Sequence, residues 1–476
     1  MSPATLGERL AQACRAFGEA PAVTDAGTTL SYAALAGRAA ELAGALRSSG
    51  LRRDEPAIVA VSSHAADVAG LMAVWRAGGV AVPVHRGAAA ASVRGTLERT
   101  GARFIVNAVP DAPLAGTAMG QVAEAADALP REREILKGAA WIVFTSGSTG
   151  QPKGVVLAHD RYVVKLDAIV GAMALPRPQK VLLPLQMTFA YAHWVTLTTL
   201  LCGGETVIAS PFRPGEFLAR LADGFTATAV VPTMLRRLRP LIEQGGTPFA
   251  GTVMTGGEPL PAPLGRFIRT AWPRVGIWDV YGLTESATSD FYVRPDEYDR
   301  AAGCIGRPGP GVCFRIVPAT GELQIRSPYA MRGYLDEPAL TAEAFQDGYL
   351  RTGDQARLRE DGFVEITGRL KDLVNRAGNK IAPVEIEASF LAHPQVMEAL
   401  AAGVPDPMRG EALHLVVVGR PGACLDPEAL LHWASERMER FKLPDRIHVA
   451  AELPVGGTGK ADRNALRAMI AAGKLA

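Results

Sequence analysis

The chain has 476 residues, enough for two or more folding units that bury several apolar layers and still leave a cleft. Its 50 Lys+Arg against 48 Asp+Glu give a formal charge of +2 with no basic block, which excludes an electrostatic footprint for nucleic acid. The five cysteines, Cys14, Cys202, Cys304, Cys313 and Cys424, form no C-x-x-C pair and meet no His cluster at metal-ligand spacing, so a zinc framework is excluded and a reduced, cytoplasmic setting is the simplest.

The N-terminal residues soon meet Glu8 and Arg9 and lack the basic-then-apolar build of a signal peptide. From 31 to 50 the apolar residues Leu35, Ala39, Leu42 and Leu46 recur at helical spacing, with Ser31 as N-cap and Gly50 as stop. A strand is expected at 57–61, a helix at 66–77 before Gly78-Gly79, and strands at 80–84, 104–107, 141–145 and 180–183. The greasiest stretch, 195–202, is far short of the roughly 18 residues of a spanning helix and reads as part of a core helix over 194–201, so no membrane span is expected. A strand at 206–209, units at 217–222, 227–231 and 235–242, and strands at 252–255 and 276–281 continue the alternation. That grammar predicts an α/β fold of parallel, helix-covered sheets. After about 303 short strand-like pieces broken by Gly and Pro, including 321–326 and 362–366, predict a β-rich subdomain. Segments 385–392 and 413–418 and an amphipathic stretch at 427–441 predict a small mobile α+β unit at the end. The expected division is 1–370 and 371–476, with a hinge near 370–372.

The strongest local signal follows the predicted strand at 141–145: Phe144-Thr145-Ser146-Gly147-Ser148-Thr149-Gly150-Gln151-Pro152-Lys153-Gly154. Glycines let the backbone wrap an oxyanion, hydroxyls and N–H groups donate to phosphate oxygens, and lysine adds a compact positive charge. A flexible polar turn has the same composition. The spacing is not that of a Walker A loop, because Pro152 stands where the second glycine belongs.

Further strings follow in order: Thr255-Gly256-Gly257-Glu258-Pro259, Tyr281-Gly282-Leu283-Thr284-Glu285, Tyr349-Leu350-Arg351-Thr352-Gly353-Asp354, Gly368-Arg369-Leu370-Lys371-Asp372 and Gly459-Lys460. With the first loop they resemble the ordered motifs of the adenylate-forming superfamily of acyl-CoA synthetases, peptide-synthetase adenylation domains and beetle luciferases. The resemblance implies ATP-dependent activation of a small carboxylic acid through an acyl-adenylate.

It also implies roles. Thr145, Ser146, Gly147, Ser148, Thr149, Gly150 and Lys153 are expected to cradle the polyphosphate, and Gly256, Gly257, Glu258 and Gly282 to line the nucleotide. Tyr281 would stack on adenine; Asp279, where the family often has Asn, can still accept from the adenine amine. Glu285 resembles the glutamate that helps hold Mg²⁺, a cation that takes few carboxylates. Thr284 would donate to the α-phosphate, Asp354 would grip the ribose, and Arg369 would add a second contact. Lys460 resembles the lysine that bridges the acid and the α-phosphate as the carboxylate attacks, and is expected to be the main catalytic residue.

For the second step, Lys371 resembles the hinge of the rotating C-terminal unit, and Gly378 lies where a thiol tunnel needs room, though a plain turn glycine reads the same. Phe441-Lys442-Leu443-Pro444 is similar to the version found in CoA ligases, with Lys442 at the tunnel; carrier-protein phosphopantetheine on an acyl carrier protein is the other acceptor. Phe189-Ala190-Tyr191-Ala192-His193 is similar to the pocket segment of benzoate-type ligases, Phe189 and Gly282 matching the gate between acyl and thiol channels. His193 faces the substrate or is a satisfied core histidine. Ala190 replaces the Asp that pairs with an α-ammonium group in peptide synthetases, which disfavours α-amino acids. An aryl acid leads; a fatty or other alkyl acid, and a catalytically silent nucleotide-binding relative, remain alternatives.

Overall fold

The computed structural model describes residues 5–109, 114, 122–124, 132–145, 152–175, 177–246, 248–454 and 461–475. Two large sheets, a smaller antiparallel sheet and a C-terminal sheet account for the described strands.

The nine-stranded sheet has a parallel centre: Pro21–Thr24, Glu205–Ile208, Lys180–Leu183, Ala227–Val230, Thr252–Gly256 and Gly276–Tyr281 lie side by side. Antiparallel strands close both of its edges. The seven-stranded sheet likewise pairs Pro56–Val61, Val80–His85, Phe104–Val106 and Ala139–Thr145 in parallel and ends in antiparallel strands. The expectation of parallel sheets thus describes the centres and not the edges.

Both centres are buried on two faces, which is why their strands read as unbroken apolar runs. Successive side chains alternate between cores. Val59 and Val61 join the core that also holds Val181 and Leu183 of the other sheet, while Ile58 and Ala60 face a second core and Leu182 a third. Helices Leu6–Phe17, Tyr32–Ser48, Ala65–Ala77, His159–Met173 and Ala190–Leu201 contribute Leu10, Leu42, Val74, Leu166 and Leu197 to the shared core. Ser31 caps its helix as expected, its hydroxyl accepting from the Ala34 N–H at 3.1 Å. Gly78 ends the Ala65–Ala77 helix in the left-handed region at φ 89°.

Strands Cys313–Ile316, Glu322–Arg326, Tyr349–Leu358 and Val364–Arg369 form much of the antiparallel subdomain. Sheet membership changes across the short 3₁₀ turn Leu370–Asp372. Beyond it, Val374–Arg376, Asn379–Ile381, Val396–Asp406, Gly410–Gly419 and Arg446–Ala450 build a five-stranded sheet with its own cores. The amphipathic stretch expected over 427–441 is α-helical for Pro427–Ser435 and reaches a separate 3₁₀ turn, Arg440–Lys442. At the end of the helix the Ser435 hydroxyl donates back to the His432 carbonyl at 2.7 Å.

Candidate active site

The loop singled out in the sequence is flanked by a hairpin. Lys153 opens the strand Lys153–Ala158, an element the motif string does not announce, and it pairs directly with Thr145. Ser146, Gly147, Ser148, Thr149 and Gly150 lie outside the described residues. Arg99, which no motif contains, donates to the Pro152 carbonyl and lies over the Phe144 ring at 5.0 Å, bracing both sides of that loop.

The second motif comes to the same place. Gly333–Tyr334 pairs antiparallel with Val155 and Val156, so Tyr334 sits beside the lysine's strand. Lys153 Nζ lies 5.2 Å from the Tyr334 ring centre, a cation–π distance. The Tyr334 hydroxyl donates to Glu285 Oε1 at 2.9 Å, and the Met331 N–H donates to the Glu285 carbonyl at 2.7 Å. Burial, then the Glu285 charge, pushes the Tyr334 phenol far above its ordinary range, so it remains a donor. Glu285 and Thr284 occupy the 3₁₀ turn Thr284–Ser286. The structure therefore brings Thr145, Lys153, Thr284 and Glu285 together through a tyrosine that sequence reasoning missed.

The nucleotide strands adjoin one another. Thr255 pairs with Asp279 and Gly256 with Val280 in parallel register. A Cβ on Gly256 would meet the Val280 carbonyl oxygen at 2.4 Å, so the glycine is needed for this approach of the chains. Gly257 is exposed at φ 81°. Burial holds the Asp279 carboxyl well above the usual range and so favours the neutral acid, against the Val280 N–H, which favours the carboxylate; the carbonyl oxygen of the acid can still accept from an amine.

Asp354 and Arg369 are register partners on neighbouring strands. Arg369 Nε donates to Asp354 Oδ1 at 2.5 Å, and the Tyr281 hydroxyl donates to Asp354 Oδ2 at 2.6 Å. The three motif residues thus form one cluster. Tyr281 also packs at 72° to Phe291, with ring centres 6.0 Å apart.

Other expected residues have different surroundings. The Glu258 carboxylate accepts from Thr233 at 2.8 Å and Arg236 at 3.1 Å, and Arg236 reaches on to Glu398 of the C-terminal sheet at 3.3 Å. Gly282 leaves room for protein: a Cβ there would lie 2.3 Å from the Ser289 nitrogen.

Phe189 stands at the N-cap of the helix Ala190–Leu201, which starts four residues before the expected 194, so Ala190, Tyr191 and His193 sit on its first turn. Tyr191 stacks on Trp194 at 5.5 Å, and its buried hydroxyl has no hydrogen-bond partner among the described residues. Burial pushes that hydroxyl well up. Of the two readings of His193, the structure fits the satisfied core histidine and not the pocket residue: it is 1% exposed, stacked on Trp141 at 4.2 Å, with Nε2 2.6 Å from the Met187 carbonyl. Burial lowers its pKa to about 4.

Lys371 is exposed on the 3₁₀ turn between the two sheets. Ala377 and Gly378, at φ 50° and 86°, form the two-residue turn between paired Arg376 and Asn379. This left-handed pair is a hairpin geometry that favours glycine, and it gives Gly378 a local reason besides any thiol. Lys442 is held by Glu385 at 2.6 Å and Glu439 at 3.1 Å. Lys460 lies outside the described residues. Among the described residues no group of three or more His, Cys, Asp or Glu could hold a metal, and no helix is long and apolar enough to cross a membrane.

Residues 10–335 match the AMP-binding enzyme family, and residues 385–460 match the C-terminal domain of AMP-binding enzymes. The chain belongs to the AMP-binding enzyme family. This AMP-binding enzyme is 30% identical to a feruloyl-CoA synthase of an Amycolatopsis species, over 96% of this chain and 97% of the relative. It is 32% identical to a salicylyl-CoA synthase / salicylate adenylyltransferase of a Streptomyces species, over 98% and 93%. Its fold is similar to that of ATP-bound MatB from Rhodopseudomonas palustris, with a TM-score of 0.83, 25% identity and coverage of 98% of this chain and 99% of that one.

Proposed function

We propose that this enzyme activates a carboxylic acid with ATP as the acyl-adenylate and passes the acyl group to CoA, with an aryl acid as its substrate. The observation that carries the reading is the meeting of Lys153 and Glu285 on Tyr334, which sets a cation and a carboxylate beside a loop rich in hydroxyls.

In the first half a carboxylate oxygen attacks the α-phosphorus and pyrophosphate leaves; in the second a thiol attacks the acyl carbon and AMP leaves. No protein nucleophile is needed, so positioning and fixed charge supply the catalysis. Lys153 and the 146–151 loop would bind the polyphosphate, and Thr284 would donate to the α-phosphate. Lys460 would neutralise the approach of the two anions. Asp354 would take the ribose hydroxyls: Tyr281 and Arg369 use only part of the roughly four lone-pair sites of its carboxylate.

Glu285 fits Mg²⁺, a cation held through one or two carboxylates with phosphate oxygens and water. Tyr334 engages Oε1, and Oε2 has no hydrogen-bond partner among the described residues. When bound, the ion would neutralise phosphate charge. Lys371 and the turn at Gly378 are assigned to the movement and thiol face of the 371–476 unit.

Two features favour an aryl acid over an alkyl one. Phe189 and Tyr191 stand together at the start of the Ala190–Leu201 helix. The unpartnered Tyr191 hydroxyl suits a ring bearing a hydrogen-bonding substituent, since buried hydroxyls are rarely left unpaired. Relatives named for feruloyl and salicylyl groups support the same reading. The free cysteines and the use of ATP and CoA suit the cytoplasm.

Product analysis with a panel of aryl and alkyl acids, CoA and a phosphopantetheinylated acyl carrier protein tests this. Aryl-CoA is expected as the main product. A thioester formed only on the carrier, or only with alkyl acids, would overturn the corresponding half.

A further inference from the structure

The turn that carries Thr284 and Glu285 is followed by an unusual piece of backbone. Ala287, Thr288 and Ser289 adopt left-handed φ angles of 61°, 67° and 51° in succession. L-residues visit that region as isolated positions, at a cost in backbone strain, and keep it only where the surroundings over-determine it. Here the chain doubles back on its own motif. The Thr288 N–H donates to the Leu283 carbonyl at 2.8 Å and the Asp290 N–H to the Tyr281 carbonyl at 2.7 Å.

What holds the fold-back is a buried charge pair. Lys165, 2% exposed, donates to Asp290 Oδ1 at 3.0 Å and to the Ser289 carbonyl at 2.9 Å. Its ammonium also lies 4.9 Å from the Tyr329 ring centre. Asp290 is fully buried, and its second oxygen accepts from the Ser286 hydroxyl, one residue past Glu285. Lys165 belongs to the helix His159–Met173, which continues directly from the strand that Lys153 opens. One strand–helix unit therefore reaches the glutamate's turn at two points, from Lys153 by way of Tyr334 to Glu285 and from Lys165 by way of Asp290 to Ser286.

We infer that the Lys165–Asp290 pair is a positioning device that fixes Thr284 and Glu285 relative to Lys153, and that Lys165 and Asp290 are positioning residues for adenylation. A stability role alone explains this pair poorly. Two charges taken out of water are often replaceable by apolar residues of similar volume with no loss of stability. Their distinctive product here is geometry, at the turn where a displacement near 1 Å can cost about 100-fold in rate. The kinetic part of this inference rests on the adenylation reading above.

The test compares the parent with a double variant, Lys165→Met with Asp290→Leu, in the full chain. Two readouts are needed: hydrogen exchange of the amides at 283–290, and acid-dependent exchange of labelled pyrophosphate into ATP. The double variant is expected to keep its thermal midpoint within a few degrees, lose loop-amide protection about 10-fold or more, and lose roughly 10- to 100-fold in kcat with the KM for the acid unchanged. If it does not fold, the near-isosteric Asp290→Asn serves, with loss of protection and a smaller fall in kcat expected. A folded variant with parental loop protection, or with parental kcat, overturns the inference. A parent that exchanges pyrophosphate with no acid refutes the adenylation reading instead, and the amide protection then decides on the brace by itself.

Discussion

Glu285 is held by a tyrosine that belongs to none of the motifs. Tyr334 donates to its carboxylate and carries Lys153 over its ring, so removing one hydroxyl should loosen the carboxylate while leaving the packing intact. Hydrogen bonds to charged groups contribute roughly 1.5–3 kcal/mol, so Tyr334→Phe is expected to lower kcat/KM for pyrophosphate exchange about 10-fold or more and to raise the Mg²⁺ concentration needed for half-maximal rate. An unchanged Mg²⁺ titration would remove Tyr334 from the account. His193 offers a test of a different kind. Burial lowers its pKa from 6.5 to about 4, so the unfolded chain binds the proton more readily between those values. Its contribution to stability is complete above about pH 6.5 and is lost as pH falls toward 4, at up to about 1.4 kcal/mol per pH unit for one group. Denaturant midpoints at pH 7, 6 and 5 should therefore fall, and His193→Gln should flatten that slope by about one proton. The motifs made Asp354, Arg369 and Tyr281 legible one by one. Their joining into one cluster was not legible, because it depends on a strand register and on a contact spanning 73 residues of sequence.

At the scale of elements, the apolar runs marked the strands well because both sheets are covered on two faces, and nearly every residue of such a strand is buried. The helix His159–Met173 is poorly marked in the sequence for a physical reason. Its buried positions, Tyr162, Val163, Lys165, Leu166, Ile169 and Met173, have helical spacing, but one of them is a lysine that pairs with Asp290 and interrupts the apolar stripe. The strand Lys153–Ala158 was hidden by the glycine-rich string that runs into it. Gly282 tests the turn between Tyr281 and Asp290 as a unit. A methyl group there would meet the Ser289 nitrogen at 2.3 Å, so Gly282→Ala is expected to destabilise the fold by roughly 1–3 kcal/mol and to impair exchange, as read by a urea melt alongside the assay. A variant with parental stability would show that the fold-back yields easily.

For the whole molecule, composition and the order of the motifs were enough to indicate an α/β enzyme with a small C-terminal unit. They could not indicate how the pieces meet. Glu285 and Tyr334 are 49 residues apart, Lys165 and Asp290 125, and Arg236 spans from Glu258 to Glu398 of the last sheet. Those meetings depend on sheet order, and in a chain of this length short-range pattern does not determine which strands become neighbours. Chelation of Mg²⁺ should abolish activity of the intact enzyme if Glu285 serves as proposed, and re-addition should restore it. The central claim is that the assembled site transfers AMP to a carboxylic acid. Labelled pyrophosphate exchange into ATP, run across aryl and alkyl acids with the parent and Lys460→Ala, tests it most directly. The account predicts exchange that requires an acid, is fastest with an aryl acid, and falls by about 100-fold or more in the variant. Exchange with no acid-dependence, or a variant as fast as the parent, would contradict it.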